Sequence, residues 1–132
     1  MNSSAVTIRP VETKKDKKNF VDFAWDVYKN DPHWVPPLKD EVHGLITPGK
    51  NPWFEHARAQ LWLAERGGKV VVRISAQVDD LVQQHMGEGI GNWGMFEALD
   101  GEAAAALIAT AEDWLRSQGM KQSLGPISLS IW

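Results

Sequence analysis

The sequence contains no cysteine in its 132 residues. This absence excludes disulfide bonds, thiolate nucleophiles and zinc sites built on cysteine. The sequence also has no run of 18 apolar residues, and no apolar segment follows its N-terminal residues MNSSAVTIRP. It therefore predicts neither a membrane-spanning helix nor a standard secretion signal, and we expect the protein to be cytoplasmic.

A strong charge of either sign is missing as well. The 14 Lys and Arg residues stand against 17 Asp and Glu residues, which gives a formal net charge of -3. This balance predicts no long-range attraction to nucleic acid or to an anionic membrane. The basic run of Lys14, Lys15, Lys17 and Lys18 is typical of the solvated start of a helix, and a phosphate or nucleic-acid patch is the alternative.

A metal-binding pattern is also absent. The four histidines do not have the i, i+4 spacing of a helical metal pair, and no cysteine assists them, so the sequence predicts no metal site. We interpret His56 as a hydrogen-bonding loop residue, with a catalytic base as the alternative. The histidines are His33, His43, His56 and His85.

The composition is that of an ordinary globular domain. Hydrophobic residues make up 43% of the chain and charged residues 23%. The length fits a single domain, which we place at residues 1–132. The 7 tryptophans are many for this length, and we expect most of them to anchor the core or an interface.

The first half of the chain predicts a strand, a helix and an irregular segment. Residues Ala5 to Val11 alternate as an edge strand limited by Pro10. A helix follows from Thr13 to about Asn30. Residues 33–54 are irregular apart from two helical turns at 38–45. The apolar face of the first helix consists of Phe20, Phe23, Ala24 and Val27, and the aromatic residues expected to fasten the irregular segment are Trp34, Trp53 and Phe54.

The second half predicts three strands in a meander, then a helix and a last strand. The strands are Ala59–Glu65, Val70–Val78 and Asn92–Leu99, with a hairpin turn at 66–69 and, at 79–89, a loop that has room for a helical turn. On Asn92–Leu99, the fourth strand of the chain, the alternation sets Trp93, Met95, Glu97 and Leu99 opposite to Gly94, Phe96 and Ala98.

The helix and the last strand complete the pattern. Asp100 is the expected N-cap, Gly119 ends the helix, and the last strand runs from Met120 to Ile131 with an interruption at Gly125-Pro126. The order β-α-α-β-β-β-α-β predicts an α/β (α+β) fold with a mixed sheet, in which a right-handed crossover makes the last strand parallel to its neighbour.

Several segments resemble the GCN5-related N-acetyltransferase (GNAT) superfamily, in particular a bacterial acetyltransferase-like subgroup. They are VYKNDPHWVPPL, NPWFEHARAQLWLAERGGK, GNWGMFEALD, AEDWLRSQGM and LGPISLSI. The likeness covers nearly the whole chain and corresponds to the N-terminal five strands of that fold. It implies a shortened domain without the usual C-terminal helix and strands.

The resemblance also implies a function and a set of site residues. It implies transfer of an acetyl or other acyl group from acyl-CoA to an amine, with Glu97 as the general base and backbone N–H groups of the fourth strand on the thioester oxygen. The residues that the resemblance places at the cofactor are Phe96, Ala98, Leu99, Asp100, Gly101, Glu102 and Ala103.

The phosphate-binding motif of the superfamily is not preserved. The motif Gln/Arg-x-x-Gly-x-Gly/Ala provides backbone N–H groups for the pyrophosphate. The corresponding residues, Leu99 to Ala104, keep one glycine and introduce two carboxylates. The carboxylates would repel phosphates, and Asp100 would occupy N–H groups of the helix start.

Two charged residues on the strands have alternative roles. Glu97 is either the general base or a surface charge that pairs with Arg73. Arg73 either pairs with Glu65 or Glu97, or binds an anion in a pocket. The interruption at Gly125-Pro126 favours a separation of the last two strands, where the superfamily inserts pantetheine.

Three functions remain compatible with these patterns. The first is an acyl-CoA-dependent N-acyltransferase. The second is a non-catalytic interaction module that uses the open edge of the fifth strand to dimerise or to bind a partner, with Trp132 buried in that interface. The third is a small-molecule binding module built on the aromatic loop from Trp34 to Phe54.

Overall fold

The computed structural model describes residues 5–126, which form one five-stranded sheet in the order β1-β2-β3-β4-β5. The first four strands are antiparallel to their neighbours, and β5 is parallel to β4. This confirms the predicted fold class. The strands are β1 Val6–Pro10, β2 Ala57–Arg66, β3 Lys69–Asp79, β4 Ile90–Ala98 and β5 Gln122–Leu124. The helices are α1 Lys14–Tyr28, α2 Lys39–Leu45, α3 Asp80–Met86 and α4 Gly101–Ser117, with a 3₁₀ turn at Pro52–Glu55.

A capping box begins α1 and joins it to β1. The Asp16 backbone N–H donates to Thr13 Oγ1 at 3.0 Å, and the Thr13 N–H donates to Asp16 Oδ2 at 3.3 Å. Arg9 on β1 donates to the same buried carboxylate at 2.7 Å. The hydrogen bond from Arg9 lowers the pKa of Asp16 to about 2. The strand and the helix are therefore held together by a charged contact at their junction.

Helices cover both faces of the sheet, and each face has its own core. Helix α4 packs on one face, where Leu107 and Leu115 meet the inward side chains of β2 and β3. Helix α1 packs on the other face through Phe20 and Val21. The predicted apolar face of α1 is confirmed for Phe20, Phe23 and Ala24, which are buried, whereas Val27 is half-buried.

The segment 79–89, predicted as a loop with room for a helical turn, is more helical than predicted, since Asp80–Met86 forms α3. Asp79 caps this helix by accepting a hydrogen bond from the Leu81 N–H at 2.9 Å. Val82 is buried and fastens the helix to the sheet. Because the segment is mostly polar, its pattern did not predict the full length of this helix, which the Asp79 cap and the buried Val82 hold in place.

The predicted alternation on β4 is confirmed from Met95 to Ala98 but is wrong for Trp93, because the strand has a bulge at Met95. The pairing with β3 shifts between Arg73↔Glu97 and Ser75↔Gly94, and Met95 has a φ of 47°. Trp93 therefore lies on the α4 face with Phe96, while Met95 contacts the core beneath α1. The one extra residue reverses the alternation, so the side chains before the bulge lie on the face opposite to the one that the later residues would predict.

The last strand is described only in part. Pairing of β5 with β4 runs from Ile90↔Gln122 to Asn92↔Leu124, and the described strand ends just before Gly125-Pro126. The remainder of the predicted strand, and the prediction for Trp132, lie outside the described residues. Within residues 5–126, no helix is long and apolar enough to cross a bilayer.

Candidate functional site

The bulge on β4 places Glu97 on the face of the sheet that α1 covers. Glu97 Oε1 accepts a hydrogen bond from the Tyr28 hydroxyl at 2.7 Å, and Glu97 Oε2 lies 4.0 Å from Arg73 Nη2. The Glu97 side chain is 20% exposed and therefore semi-buried. A general base has to come within hydrogen-bond reach of the proton that it removes, and the Glu97 carboxylate is partly open to such a group.

Arg73 fixes the surroundings of this carboxylate. Its Nε donates to the Met95 carbonyl at 3.0 Å, and its Nη1 donates to the Phe20 carbonyl at 2.9 Å. Burial lowers the pKa of Arg73. Of its two predicted carboxylate partners, Arg73 lies beside Glu97. The other, Glu65, lies 3.9 Å from Arg9 instead. Arg73 thus joins α1, the bulge and the candidate base.

Tyr28 is a member of this site that the sequence pattern did not identify. The hydrogen bond to Glu97, followed by burial, raises the pKa of the Tyr28 phenol. The Trp34 ring stacks on the Tyr28 ring at 5.0 Å between centroids, and Trp25 meets Trp34 edge-on at 5.3 Å. These three rings form an aromatic wall (Trp25, Tyr28 and Trp34) beside the carboxylate. The sequence carries no local signal for this contact, because Tyr28 and Glu97 are 69 residues apart in the chain.

At the other end of the predicted site, an ion cluster occupies the N-terminus of α4. Asp100 Oδ1 accepts a hydrogen bond from the Ala103 N–H at 3.0 Å, and Asp100 Oδ2 accepts one from Arg66 Nε at 2.7 Å. Arg66 Nη2 also donates to Glu102 Oε1 at 2.5 Å. The hydrogen bond from Arg66 lowers the pKa of Asp100. The prediction that Asp100 caps the helix is confirmed, and Arg66 was missed because it comes from a distant hairpin.

The residues at this helix start do not fit the phosphates of CoA. The connection between β4 and α4 consists of Leu99 and Asp100 alone. The Leu99 N–H donates to the Val71 carbonyl at 2.8 Å, and the Ala103 N–H is taken by Asp100. An added Cβ at Gly101 would meet no atom within 4 Å, but the two chain neighbours of Gly101 are the carboxylates Asp100 and Glu102. A phosphate cradle needs several free N–H groups without neighbouring negative charge.

The other predicted cofactor residues lie near the bulge. Phe96 and Ala98 pack against the core beneath α4, and Phe96 meets the Trp93 ring edge-on at 5.7 Å. Trp93 in turn lies against Gly125, where an added Cβ would come within 2.4 Å of the indole. The described pairing of β4 with β5 thus ends beside an aromatic pair.

His56 forms hydrogen bonds at the far end of β3. His56 Nδ1 lies 2.9 Å from Asp79 Oδ1, and Trp53 Nε1 donates to Asp79 Oδ2 at 2.8 Å. This arrangement agrees with the interpretation of His56 as a hydrogen-bonding loop residue. Across residues 5–126, no cluster of histidine and carboxylate side chains has the geometry of a metal site.

Comparison with solved structures identifies the fold. A tandem GNAT protein from the clavulanic acid biosynthesis pathway matches with a TM-score of 0.68, over 96% of this chain and 38% of that protein, at 16% identity. The chain has the GNAT fold. A GNAT family acetyltransferase from Brucella melitensis, solved with acetyl-CoA, matches with a TM-score of 0.59 over 94% of this chain and 78% of that protein, at 17% identity. The aminoglycoside N-acetyltransferase AAC(6')-Iy, solved with CoA, gives a TM-score of 0.62 over 97% and 80%, at 13% identity.

Two curated proteins are similar to this chain in sequence. Protein YghO of Escherichia coli K12 is 40% identical over 125 residues, which are 94% of this chain and 32% of that protein. The Bacterial ceramide synthase of Caulobacter vibrioides is 42% identical over 128 residues, which are 96% of this chain and 33% of that protein. The chain thus spans about a third of the length of these relatives. No model of a known protein family matches the chain.

Proposed function

We propose that the chain is a GNAT unit of an N-acyltransferase, which transfers an acyl group from a thioester such as acetyl-CoA or another acyl-CoA to an amine. The observation that carries the proposal is the position of Glu97 beside the bulge of β4, with Tyr28 and Arg73 in contact. Solved structures of the same fold contain CoA or acetyl-CoA, which supports this choice of donor. We assign the unit to residues 1–132, which align with about a third of the length of the curated relatives.

The residues of this chain act on the acceptor amine, from which they remove a proton. An amine can attack a thioester only as the free base, so a proton has to leave its nitrogen. Glu97 is the carboxylate in position to take that proton. Tyr28 and Arg73 hold the carboxylate in one orientation, since the Tyr28 hydroxyl donates to it at 2.7 Å and Arg73 lies 4.0 Å away. No step is assigned to the phosphates of CoA, because the residues at the start of α4 do not fit them.

An amine with a long apolar chain is the acceptor that we propose. Ceramides are amides, so the ceramide synthase relative supports acyl transfer to nitrogen. The surface that continues the aromatic wall exposes apolar side chains, with Val35 84% and Leu38 67% exposed. An apolar chain lying there would bury these side chains, while its amine approached Glu97.

The experiment measures amine-dependent thiol release, together with mass spectrometry of the amide. The chain is incubated with acetyl-CoA or S-acetyl pantetheine and with either a long-chain amino alcohol or a short alkylamine. We expect faster release with the long-chain amine, and a loss of about 100-fold in Glu97→Gln, as for removal of a general base. Glu88→Gln is the matched control, since Glu88 is exposed. A folded chain that forms no amide from either donor would overturn the proposal.

A second candidate function is a non-catalytic unit that binds a second copy of the chain through β5. The observation that favours it is the sheet order, in which the described β5 pairs with β4 alone. Leu124 on this strand is 38% exposed. A strand edge with apolar side chains is a template for pairing with another chain.

A further inference from the structure

We propose that an ion cluster of Arg66, Asp100 and Glu102 keeps the diphosphate of CoA away from the α4 N-terminus, so that the nucleotide of an acyl-CoA donor adds no affinity there. The proposal rests on the acyl-transfer function above and narrows the donor that it uses. In this arrangement the protein supplies its own anions at the position where the fold otherwise accepts phosphates.

The backbone leaves little room for a phosphate cradle. Two residues, Leu99 and Asp100, connect β4 to α4. Leu99 has its N–H bonded to the Val71 carbonyl at 2.8 Å, and the Asp100 carboxylate takes the Ala103 N–H at 3.0 Å. An incoming diphosphate would therefore have to displace Asp100 before it could bind the start of the helix.

The charges also oppose a diphosphate. Asp100 and Glu102 contribute two negative charges and Arg66 one positive charge, so the cluster has a net charge of about -1 when all three are ionised. Arg66 is directed at both carboxylates, and Arg66 and Asp100 have side chains that are each 20% exposed. A phosphate that recruited Arg66 would leave the two carboxylates beside it without their cation, and like charges at such distances repel.

If the diphosphate does not bind, the nucleotide of acetyl-CoA adds nothing to the affinity of the donor for the chain. Acetyl-CoA and S-acetyl pantetheine share the thioester and the pantetheine arm, and only acetyl-CoA carries phosphates. We expect kcat/KM for the two donors to agree within about threefold, because the phosphates gain no contact that would lower the free energy of binding.

The binding test uses adenosine 3',5'-diphosphate, the nucleotide part of CoA, and the whole 132-residue chain. We follow the backbone amide resonances of Gly101, Glu102 and Ala103 and expect no change at millimolar nucleotide. The double variant Asp100→Ser with Glu102→Gln keeps a helix cap and leaves Arg66 beside the N-terminus. We expect it to bind the nucleotide at least about tenfold more tightly than wild type.

A matched control changes the net charge equally on the same helix. Glu112→Gln with Asp113→Asn lies near the C-terminal end of α4, and we expect its nucleotide binding to equal that of wild type. Nucleotide-induced changes at Gly101–Ala103 in the wild type would overturn the proposal. Equal binding by the two double variants would also overturn it, because the carboxylates would then not be the obstacle.

The acyl-transfer function can fail separately from the proposal on the donor. If neither thioester yields an amide while the nucleotide results are as expected, the function is wrong and the exclusion of the diphosphate stands. If acetyl-CoA alone is active and perturbs the start of α4, the function stands and the proposed donor recognition is wrong.

Discussion

At the scale of single residues, the hydroxyl of Tyr28 reports directly on the candidate base. The chain has one tyrosine, so its tyrosinate absorbance measures this phenol without interference from another. The hydrogen bond to Glu97 raises the pKa of Tyr28. We expect a spectrophotometric titration to give a pKa above the ordinary value of about 10. In Glu97→Gln the carboxylate charge is gone, and the pKa should fall towards that ordinary value.

The sign of the effect on stability follows from this shift. Because the folded-state pKa lies above the unfolded-state value, the contact contributes fully to the free energy of unfolding below the unfolded-state pKa of about 10. The contribution is lost as pH rises through the folded-state pKa. Glu88→Gln is the control and should titrate as wild type. The same titration curve for Glu97→Gln and wild type would show that the Tyr28–Glu97 contact is absent in solution.

Two residues of the candidate site were predicted from the sequence on different grounds. The resemblance implied Glu97 as the base, which stays a prediction, and the local pattern predicted Asp100 as a cap before an apolar helix, which the structure confirms. Tyr28 and Arg66 did not stand out, because each meets its partner across many residues of chain, at separations of 69 and 34 residues. Contacts of that kind depend on the packing of distant elements and leave no local pattern.

At the scale of elements, the packing of α4 against the start of β4 depends on Gly91. A Cβ at this position would lie 2.6 Å from Leu115 Cδ2 and 3.1 Å from Met120 Cγ. Leu115 is buried, so it has little space to move. We expect Gly91→Ala to lower the free energy of unfolding by about 1–3 kcal/mol, as in other overpacked cores.

Gly101→Ala is the matched substitution for this test. A Cβ at Gly101 meets no atom within 4 Å, and alanine favours the helix that begins there. We expect its stability to equal or exceed that of wild type, by up to about 1 kcal/mol. Urea unfolding of the two variants measures the difference. Equal destabilisation by both substitutions would contradict the packing that the structure shows around Gly91.

The elements differ in how far periodicity could predict them. The hairpin turn at 66–69 and most of the apolar face of α1 followed from local spacing, and the structure has them there. The bulge at Met95 did not follow, because one inserted residue changes the register without changing the composition. Periodicity therefore assigned the wrong face to Trp93, next to the candidate site.

At the scale of the whole molecule, the order of elements was enough to predict a mixed sheet with a parallel last strand, and the resemblance of several segments implied the GNAT fold. A meander followed by a crossover helix has few allowed arrangements, since the crossover is right-handed and sequential strands tend to pair. What the order cannot give is the activity, because the same fold carries different functions. The donor and the acceptor depend on side-chain contacts such as Arg66–Asp100 and Tyr28–Glu97, which only the folded chain brings together.

The open side of β5 gives a prediction for the whole molecule. If β5 edges pair between two copies, the chain should have twice its monomer mass of 14.7 kDa in light scattering at micromolar concentration. A charge on the paired strand prevents such pairing, so Leu124→Lys should be monomeric. Leu81→Lys is the control, since Leu81 on α3 is also 38% exposed, and it should remain dimeric. A monomeric wild type would exclude the β5 interface and leave acyl transfer as the function that the structure supports.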